Sequence, residues 1–261
     1  KVVFDPLISQ YDKSVNEFHK LKPGSIGARR LLRRESGIFR SADIVVADTV
    51  MHRDYYSEVL KVPREKLKVV YVGADSHFNS VDTVRCSSDM LEVLFYGSFL
   101  PLQGPKTIVE AARLTQGLPV RWTLIGDGPE KTGSMAAAKG LDNVVFKDPV
   151  PYRDLPSVIA GFDVLLGVFG STEKSKRVMP NKFFQALASG KPIITMRSGA
   201  YPETVLADKA VKFIDSDNAS ALADAVTEYL NDPGALAEAT SRARSLFERE
   251  FSLKVIVSQV E

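Results

Sequence analysis

The chain has 261 residues, 44% of them hydrophobic and 25% charged, which is typical of a globular protein with one large domain or two small ones. It contains no apolar run of membrane-spanning length, and this argues against an integral membrane protein. Cys86 is its single cysteine, so an internal disulfide is excluded and a reducing compartment is expected.

Positive charge is concentrated near the start of the chain. The formal net charge is only +2, yet the segment from Lys20 to Arg40 holds seven basic residues against one acid, Glu35. A basic block on an otherwise acidic chain favours an anionic surface as partner.

Residues 1–75 contain few predicted elements. "KVVF", "DIVVAD" and "LKVVYVG" predict strands, and the stretches 28–41 and 49–60 predict helices. We interpret residues 1–75 as an incomplete N-terminal Rossmann-like domain that lacks its opening strands. The polar stretch 76–89 is predicted to be a linker. An incomplete domain exposes a sheet edge and could associate through it.

The helix predicted at 28–41 carries arginines at helical spacing. A basic amphipathic helix is typical of a protein lying on an anionic membrane. The alternative is a solvated helix that covers its own domain. Nucleic acid is disfavoured because no aromatic residues alternate with the arginines. The predicted membrane-surface residues are Arg29, Arg30, Arg33 and Arg34.

Residues 90–250 have a regular pattern of alternating strands and helices. Six short β-branched runs, from "LEVLFYG" to "AVKFID", are separated by predicted helices. This alternation predicts a complete α/β domain with a doubly wound parallel sheet. The tail 251–261 has no clear preference.

Small residues follow three of the predicted strands, where ligands of open parallel sheets bind. The glycines are Gly97 and Gly104, then Gly126 and Gly128, then Gly167 and Gly170. Glycine lets a ligand approach the backbone closely, and a neighbouring helix N-terminus favours phosphate.

Cations gather in the third of these loops. Lys174, Lys176, Arg177 and Lys182 lie between the apolar run "FDVLLGV" and a helix that opens near Pro180 and Asn181. A lysine cluster is commonly a solvated face. Its position between a strand end and a helix start favours a diphosphate site instead, with Lys174 and Arg177 on either side of the ligand.

Other chemistries have no support in the sequence. No Walker loop is present, "GDGPEK" lacks the third glycine of dinucleotide enzymes, and no hydrolase elbow or Ser-His-Asp pattern is visible. His52, in "DTVMHRDYY", is predicted to lie on a helix surface rather than to act as a catalyst.

Three motifs in order carry a family resemblance: "VLFYGSFLPLQGPKTIVEAARL", "LIGDGPE" and "PNKFFQALASGKPII". They resemble the GT-B glycosyltransferases of family 4. The resemblance implies two Rossmann-like domains facing a cleft, with a nucleotide-sugar donor on the C-terminal domain and an acceptor on the N-terminal one. It further implies transfer with retention of configuration, usually without a metal or other cofactor.

The resemblance also assigns site residues. Gly97 and Ser98, with Gln103 and Gly104, would lie against the donor phosphates, and Gly126 and Gly128 near the nucleoside. Val150 and Pro151 would line the base, Asn181, Lys182 and Gln185 would approach the ribose and diphosphate, and Glu203 matches a commonly acidic position.

Four usual polar positions are changed. Ser98 stands where the family often has arginine, Gln103 where lysine is common, and Arg177 and Gln185 where paired glutamates are usual. The changes fit either an altered, inactive donor site or a charge exchange, in which Lys174 and Arg177 replace the lost cations from the opposite loop. We favour the exchange and predict that Lys174 and Arg177 are catalytic because they stabilise the leaving diphosphate.

The sequence thus predicts a retaining glycosyltransferase that transfers a sugar from a nucleotide sugar to a lipid-linked or polysaccharide acceptor. This chain, truncated at its N-terminus, would carry mainly the donor-binding half. It would be cytoplasmic, peripheral on the inner membrane face, with no nucleic acid as partner. The alternatives are a non-catalytic GT-B partner subunit and a nucleotide-sugar epimerase.

Overall fold

A computed structural model describes residues 1–79 and 89–260 of the chain. Most of the predicted linker, and Cys86 with it, lies outside the described residues. The first part of the chain, which we call the N-terminal unit (residues 1–75), holds a parallel sheet of three strands in the order β1-β2-β3. Its elements are β1 (Val3–Phe4), α1 (Ile26–Ser41), β2 (Ile44–Ala47), α2 (Val50–Glu58) and β3 (Leu67–Val69).

The C-terminal unit (residues 90–250) contains a six-stranded parallel sheet in the order β6-β5-β4-β7-β8-β9, which confirms the doubly wound prediction. Its strands are β4 (Leu91–Gly97), β5 (Val120–Gly126), β6 (Val144–Lys147), β7 (Val164–Leu166), β8 (Ile193–Met196) and β9 (Val211–Ile214). Its helices are α3 (Pro105–Leu114), α4 (Lys131–Ala137), α5 (Leu155–Ala160), α6 (Asn181–Ala188), α7 (Glu203–Leu206), α8 (Ala219–Asn231) and α9 (Pro233–Glu250).

Strand β4 shows why this sheet is buried on both faces. Leu94 and Tyr96 belong to one apolar cluster, with residues of α5, α6 and α9, while Val93 and Phe95 belong to a second cluster with residues of α3 and α8. Successive side chains of a strand point to opposite faces, so an unbroken apolar run fits a sheet that is covered by helices on both sides.

Helix ends in this unit follow their local chemistry. Asn218 Oδ1 accepts a hydrogen bond from Ala221 N at 2.9 Å and begins α8, as an N-cap residue does. Gly190 ends α6 with φ +67°, a left-handed conformation that glycine adopts without a Cβ clash.

The unassigned tail forms a helix, α10 (Leu253–Val260), that returns to the N-terminal unit. Tyr71 N donates to Gln259 Oε1 at 3.4 Å, and the Tyr71 and Phe251 rings pack edge to face. Met51 and Ala74 also pack against the apolar cluster of the C-terminal unit. These contacts fix the two units against each other. Among the described residues, no helix has the length and apolarity to cross a membrane.

Candidate functional site

The ends of β4 and β5 meet through glycine backbones. Gly97 pairs with Gly126 in the parallel register. Gly126 and Gly128 have φ of +135° and +149°, which side-chain-bearing residues rarely adopt. A Cβ on Gly126 would lie 1.9 Å from Gly97 O, and one on Gly128 would lie 1.7 Å from Ser98 O. Only glycine fits at these two positions.

The loop after β4 folds back over this junction. Pro101–Gln103 form a 3-10 turn, and Gly104, with φ +65°, leads into α3. The Gln103 side chain covers Gly97, since a Cβ there would lie 2.7 Å from Gln103 Oε1. That oxygen is buried and has no hydrogen-bond partner among the described residues. An unpartnered acceptor therefore lies beside the close approach of Gly97, Gly126 and Gly128, which we call the glycine junction.

The cation loop (residues 170–177) packs directly on the β4 loop. Phe169 N donates to Gln103 O at 3.3 Å, and Gly170 N donates to Leu102 O at 3.1 Å. Within the loop, Ser175 Oγ is 2.6 Å from Gly170 O and is fully buried. The structure thus brings together two loops that are far apart in the sequence, at the carboxyl edge of the sheet.

The four cations predicted between β7 and the start of α6 have different surroundings. Lys174 Nζ donates to Glu17 Oε2 at 2.6 Å, and Arg177 Nη2 donates to Asp12 Oδ1 at 2.5 Å. The side chains of these two cations and of their two carboxylate partners are buried, with exposed fractions of only 3–12%. Lys176 instead forms an exposed pair with Glu173. The two cations predicted to bind diphosphate are therefore neutralised, in this structure, by carboxylates of the N-terminal unit.

Arg177 makes two further contacts with the N-terminal unit. Its guanidinium lies 4.7 Å from the Tyr55 ring centroid, and its carbonyl accepts a hydrogen bond from Thr49 Oγ1 at 2.6 Å. Guanidinium groups stack favourably on aromatic faces. Arg177 thus fastens the cation loop to α2 as well as to Asp12.

Lys182 is a buried cation in the first turn of α6. Its Nζ lies 3.9 Å from the Phe95 ring centroid and 3.3 Å from Gly167 O, the acceptor of its hydrogen bond. No carboxylate of the described residues pairs with it. Burial removes water from the ammonium and lowers the pKa of Lys182 to about 7. Its charge is therefore sensitive to pH near neutrality.

Gln185, one turn further along α6, is held by Tyr96. Tyr96 OH donates to Gln185 Oε1 at 2.9 Å, and both side chains are buried. Burial raises the pKa of Tyr96 well above its usual value, so the hydroxyl stays protonated and remains a donor. This contact fixes the side-chain amide that stands where the family usually has a glutamate.

The remaining predicted donor residues lie at the same edge of the sheet. Val150 and Pro151 follow β6, and Val150 packs against the apolar cluster that includes Tyr96. Asn181 is the exposed first residue of α6, and Glu203 is the exposed first residue of α7, after β8.

The arginines of α1 lie apart from this edge. Arg29, Arg30, Arg33 and Arg34 are exposed, and none pairs with a carboxylate within the described part of the chain. Exposed Ile26 and Ile38 share the helix with them, whereas Phe39 is buried.

Sequence reasoning missed two residues of the N-terminal unit and misplaced a third. Asp12 and Glu17 lie on a π-helical turn (Asp12–Glu17), where no strand or helix was predicted. The surface position predicted for His52 is wrong, because His52 is buried, bonds to Asp48 and stacks on Tyr56. The i,i+4 spacing of Asp48 and His52 was the signal that could have revealed this pair.

Similar structures carry the same architecture. Anabaena Alr3699/HepE in complex with UDP-glucose aligns with a TM-score of 0.73 at 17% identity, over 89% of this chain and 66% of that one. Sucrose-phosphate synthase from Thermosynechococcus elongatus aligns with a TM-score of 0.73 at 19% identity, over 99% and 65%. At these identities the match shows the GT-B fold, as expected from the sequence.

Sequence relatives agree with the fold. WcaL of Escherichia coli (strain K12), provisionally named a colanic acid biosynthesis glycosyltransferase, is 28% identical over 74% of this chain and 50% of its own length. The D-inositol 3-phosphate glycosyltransferase of Corynebacterium urealyticum is 24% identical over 85% and 57%. The chain therefore spans about half the length of the curated relatives it matches. The model of the family described as "Glycosyl transferases group 1" matches residues 91–232, more than half of the chain, and the chain belongs to that family.

Proposed function

We propose that this chain is the donor-binding part of a retaining glycosyltransferase that moves a sugar from a nucleotide sugar to a lipid-linked or polysaccharide acceptor. The observation that carries this proposal is the meeting of the glycine junction and the cation loop at the carboxyl edge of the sheet. This edge is where open α/β sheets bind ligands, and it lies inside the range matched by the family model.

In this proposal the donor lies across the edge from β6 to α7. Its diphosphate contacts the β4 loop, the α6 N-terminus and the cation loop, and its nucleoside lies by Gly126 and Gly128. The unpartnered Gln103 Oε1 supports a ligand that donates a hydrogen bond here, such as a sugar hydroxyl, because a buried acceptor without a partner is costly. The proposed donor residues are Gly97, Ser98, Gln103, Gly104, Gly126, Gly128, Val150, Pro151, Asn181, Lys182, Gln185 and Glu203.

The mechanism we propose is electrostatic. Negative charge grows on the leaving diphosphate as its bond to the sugar breaks, and Lys174 and Arg177 stabilise that charge. Both cations must exchange Glu17 and Asp12 for the diphosphate before they can act. We expect the reaction to need no metal, so activity should survive a chelator.

The experiment that tests donor binding is calorimetry with UDP-, GDP- and ADP-sugars. We expect one of these nucleotide sugars to bind. We also expect this binding to be lost in the variant Gly126→Ala, because the added methyl group blocks the glycine junction. Absence of binding across the whole panel would contradict the proposal. HepE was solved with UDP-glucose, so UDP-glucose is a reasonable first ligand.

A second candidate function is that of a non-catalytic partner subunit with the GT-B fold. The ion pairs of Lys174 and Arg177 favour it, because the proposed catalytic cations are already neutralised. Turnover by the protein that carries this chain decides between the two. Donor binding without sugar transfer, in the presence of acceptor lipid, would support the partner function. An epimerase would instead convert the nucleotide sugar without any acceptor.

We also propose that α1 rests on an anionic membrane on the cytoplasmic side. Four exposed arginines without carboxylate partners, beside exposed Ile26 and Ile38, match such a surface. We expect co-sedimentation with phosphatidylglycerol vesicles and weak binding to phosphatidylcholine vesicles. Arg33→Glu with Arg34→Glu should abolish it, whereas Arg153→Glu, at an exposed arginine of the C-terminal unit, should not. Equal binding to both vesicle types would contradict this proposal.

A further inference from the structure

The carboxylates of Asp12 and Glu17 are buried and face the C-terminal unit. The side chains of Asp12 and Glu17 are each only 3% exposed. Carboxylates are rarely buried without a partner, because removing them from water is costly. Here each has one cation, Arg177 for Asp12 and Lys174 for Glu17. The structure therefore matches two negative charges to two positive charges across the contact between the units.

These carboxylates are held in place by their own unit. Glu35, buried on the inner face of α1, accepts hydrogen bonds from Gln10 N at 2.7 Å and Tyr11 N at 2.8 Å. Ser9 Oγ, which also bonds Glu35, accepts from Asp12 N at 3.1 Å. Asn16 Nδ2 donates to Asp12 Oδ1 at 2.7 Å. The turn that carries Asp12 and Glu17 is thus fixed to α1, independently of the cation loop.

We propose that Asp12 and Glu17 compete with the donor diphosphate for Arg177 and Lys174, so that they set donor affinity and displace the spent nucleoside diphosphate. This inference rests on the proposed donor function. The diphosphate of a nucleotide sugar has two phosphate groups with about one negative charge each, so it replaces the two carboxylates one for one. The charge of the cation loop is balanced in both states.

The exchange has a structural consequence. With the diphosphate bound, Asp12 and Glu17 lose their cations and face like charge, which is unfavourable in a buried setting. The turn at 12–17 therefore separates from the cation loop when the donor binds. After transfer, the carboxylates recapture the two cations and favour release of the product.

The test measures the affinity of the full chain for UDP and UMP, with GDP and GMP as a second pair. We compare the wild type with the double variant Asp12→Asn, Glu17→Gln, which keeps the shapes and removes both charges. The expected result is UDP or GDP binding at least about tenfold tighter in the double variant, with a smaller gain for the monophosphate, whose single phosphate group contacts only one of the two cations. The matched control, Glu238→Gln, removes the carboxylate that pairs with exposed Lys209, outside the proposed donor site, and should leave all affinities unchanged.

Unchanged or weaker diphosphate affinity in the folded double variant would overturn the inference while leaving the proposed donor function intact. Failure of all four nucleotides to bind either protein would overturn both. If the double variant fails to fold, carbodiimide labelling of wild-type carboxylates decides. Labelling of Asp12 and Glu17 should rise on addition of the diphosphate that binds, and constant labelling would overturn the inference.

Discussion

Arg177 of the C-terminal unit donates a hydrogen bond to Asp12 of the N-terminal unit, 165 residues earlier in the chain. The pair is buried and is flanked by a second one between Lys174 and Glu17. These contacts link the fold to the proposed chemistry, because the same two cations join the units and are proposed to bind the donor diphosphate.

Removing either cation should reduce sugar transfer sharply. We expect Arg177→Ala or Lys174→Ala to lower turnover at least about 100-fold, the scale of losing one preorganised electrostatic group. Lys176→Ala is the matched control, since Lys176 is exposed and pairs only with Glu173 within the described residues. Steady-state kinetics of the enzyme that carries this chain measure the effect, and full activity of either variant would remove Lys174 and Arg177 from the mechanism.

Arg177→Ala should also lower the free energy of unfolding. Arg177→Ala leaves Asp12 as a buried carboxylate without its cation, and such a loss costs about 3–5 kcal/mol. Denaturant unfolding of Arg177→Ala and of the double variant Arg177→Ala, Asp12→Asn separates the cost of the unpaired carboxylate from the loss of the arginine side chain itself. The second change should restore part of the loss. If it restores nothing, the ion pair is not the source of the cost.

The glycine junction should not tolerate a methyl group. Gly126→Ala would place a Cβ 1.9 Å from Gly97 O at φ +135°, so we expect strong destabilisation and loss of donor binding. Gly133→Ala is the matched control, because Gly133 lies in α4 and a Cβ added there would meet no atom within 4 Å beyond its own helix backbone and chain neighbours. There, alanine should stabilise the helix by up to about 1 kcal/mol. Thermal unfolding of the two variants compares them directly; similar melting temperatures would show that the junction is less tight than described.

Loss of the Tyr96 hydroxyl should lower the free energy of unfolding, because it removes the hydrogen bond to Gln185. Tyr96→Phe leaves Gln185 Oε1 buried without its donor, a cost of about 1–3 kcal/mol. Tyr229→Phe is the control, since the Tyr229 hydroxyl is buried and unpartnered among the described residues, and its removal should be neutral or stabilising. Equal effects of the two substitutions on the free energy of unfolding would contradict the assigned role of the Tyr96–Gln185 bond.

Lys182 should make stability and donor binding depend on pH. Its pKa is lowered to about 7 in the folded chain, so the unfolded chain binds more protons between about pH 7 and its ordinary value of 10.5. The free energy of unfolding should therefore rise with pH in this window, by at most about 1.4 kcal/mol per pH unit from this group. Lys182→Met should remove this slope.

Donor binding should raise the lowered pKa of Lys182 again. A bound diphosphate favours the ammonium form of Lys182, so binding near pH 8 should take up a proton. Calorimetry in buffers of different ionisation enthalpy measures that uptake, and Lys182→Met should lack it. An equal proton uptake by wild type and variant would assign the titration to another group.

The strand and helix pattern of the C-terminal unit could be predicted from the sequence because its signals are local. The buried run "LEVLFYG", the cap at Asn218 and the stop at Gly190 each act within a few residues. Each of the three family motifs is also a continuous stretch of sequence, so the family could be recognised without coordinates.

The partners of the cations could be decided only by the tertiary structure. Glu17 and Lys174 lie 157 residues apart, and no local pattern marks "DKSVNE" as the turn that meets the cation loop. The charge of Lys182 likewise depends on burial beneath Phe95, which a sequence does not display. Ion pairing and desolvation depend on distances in space, and these are fixed only when the two units pack together.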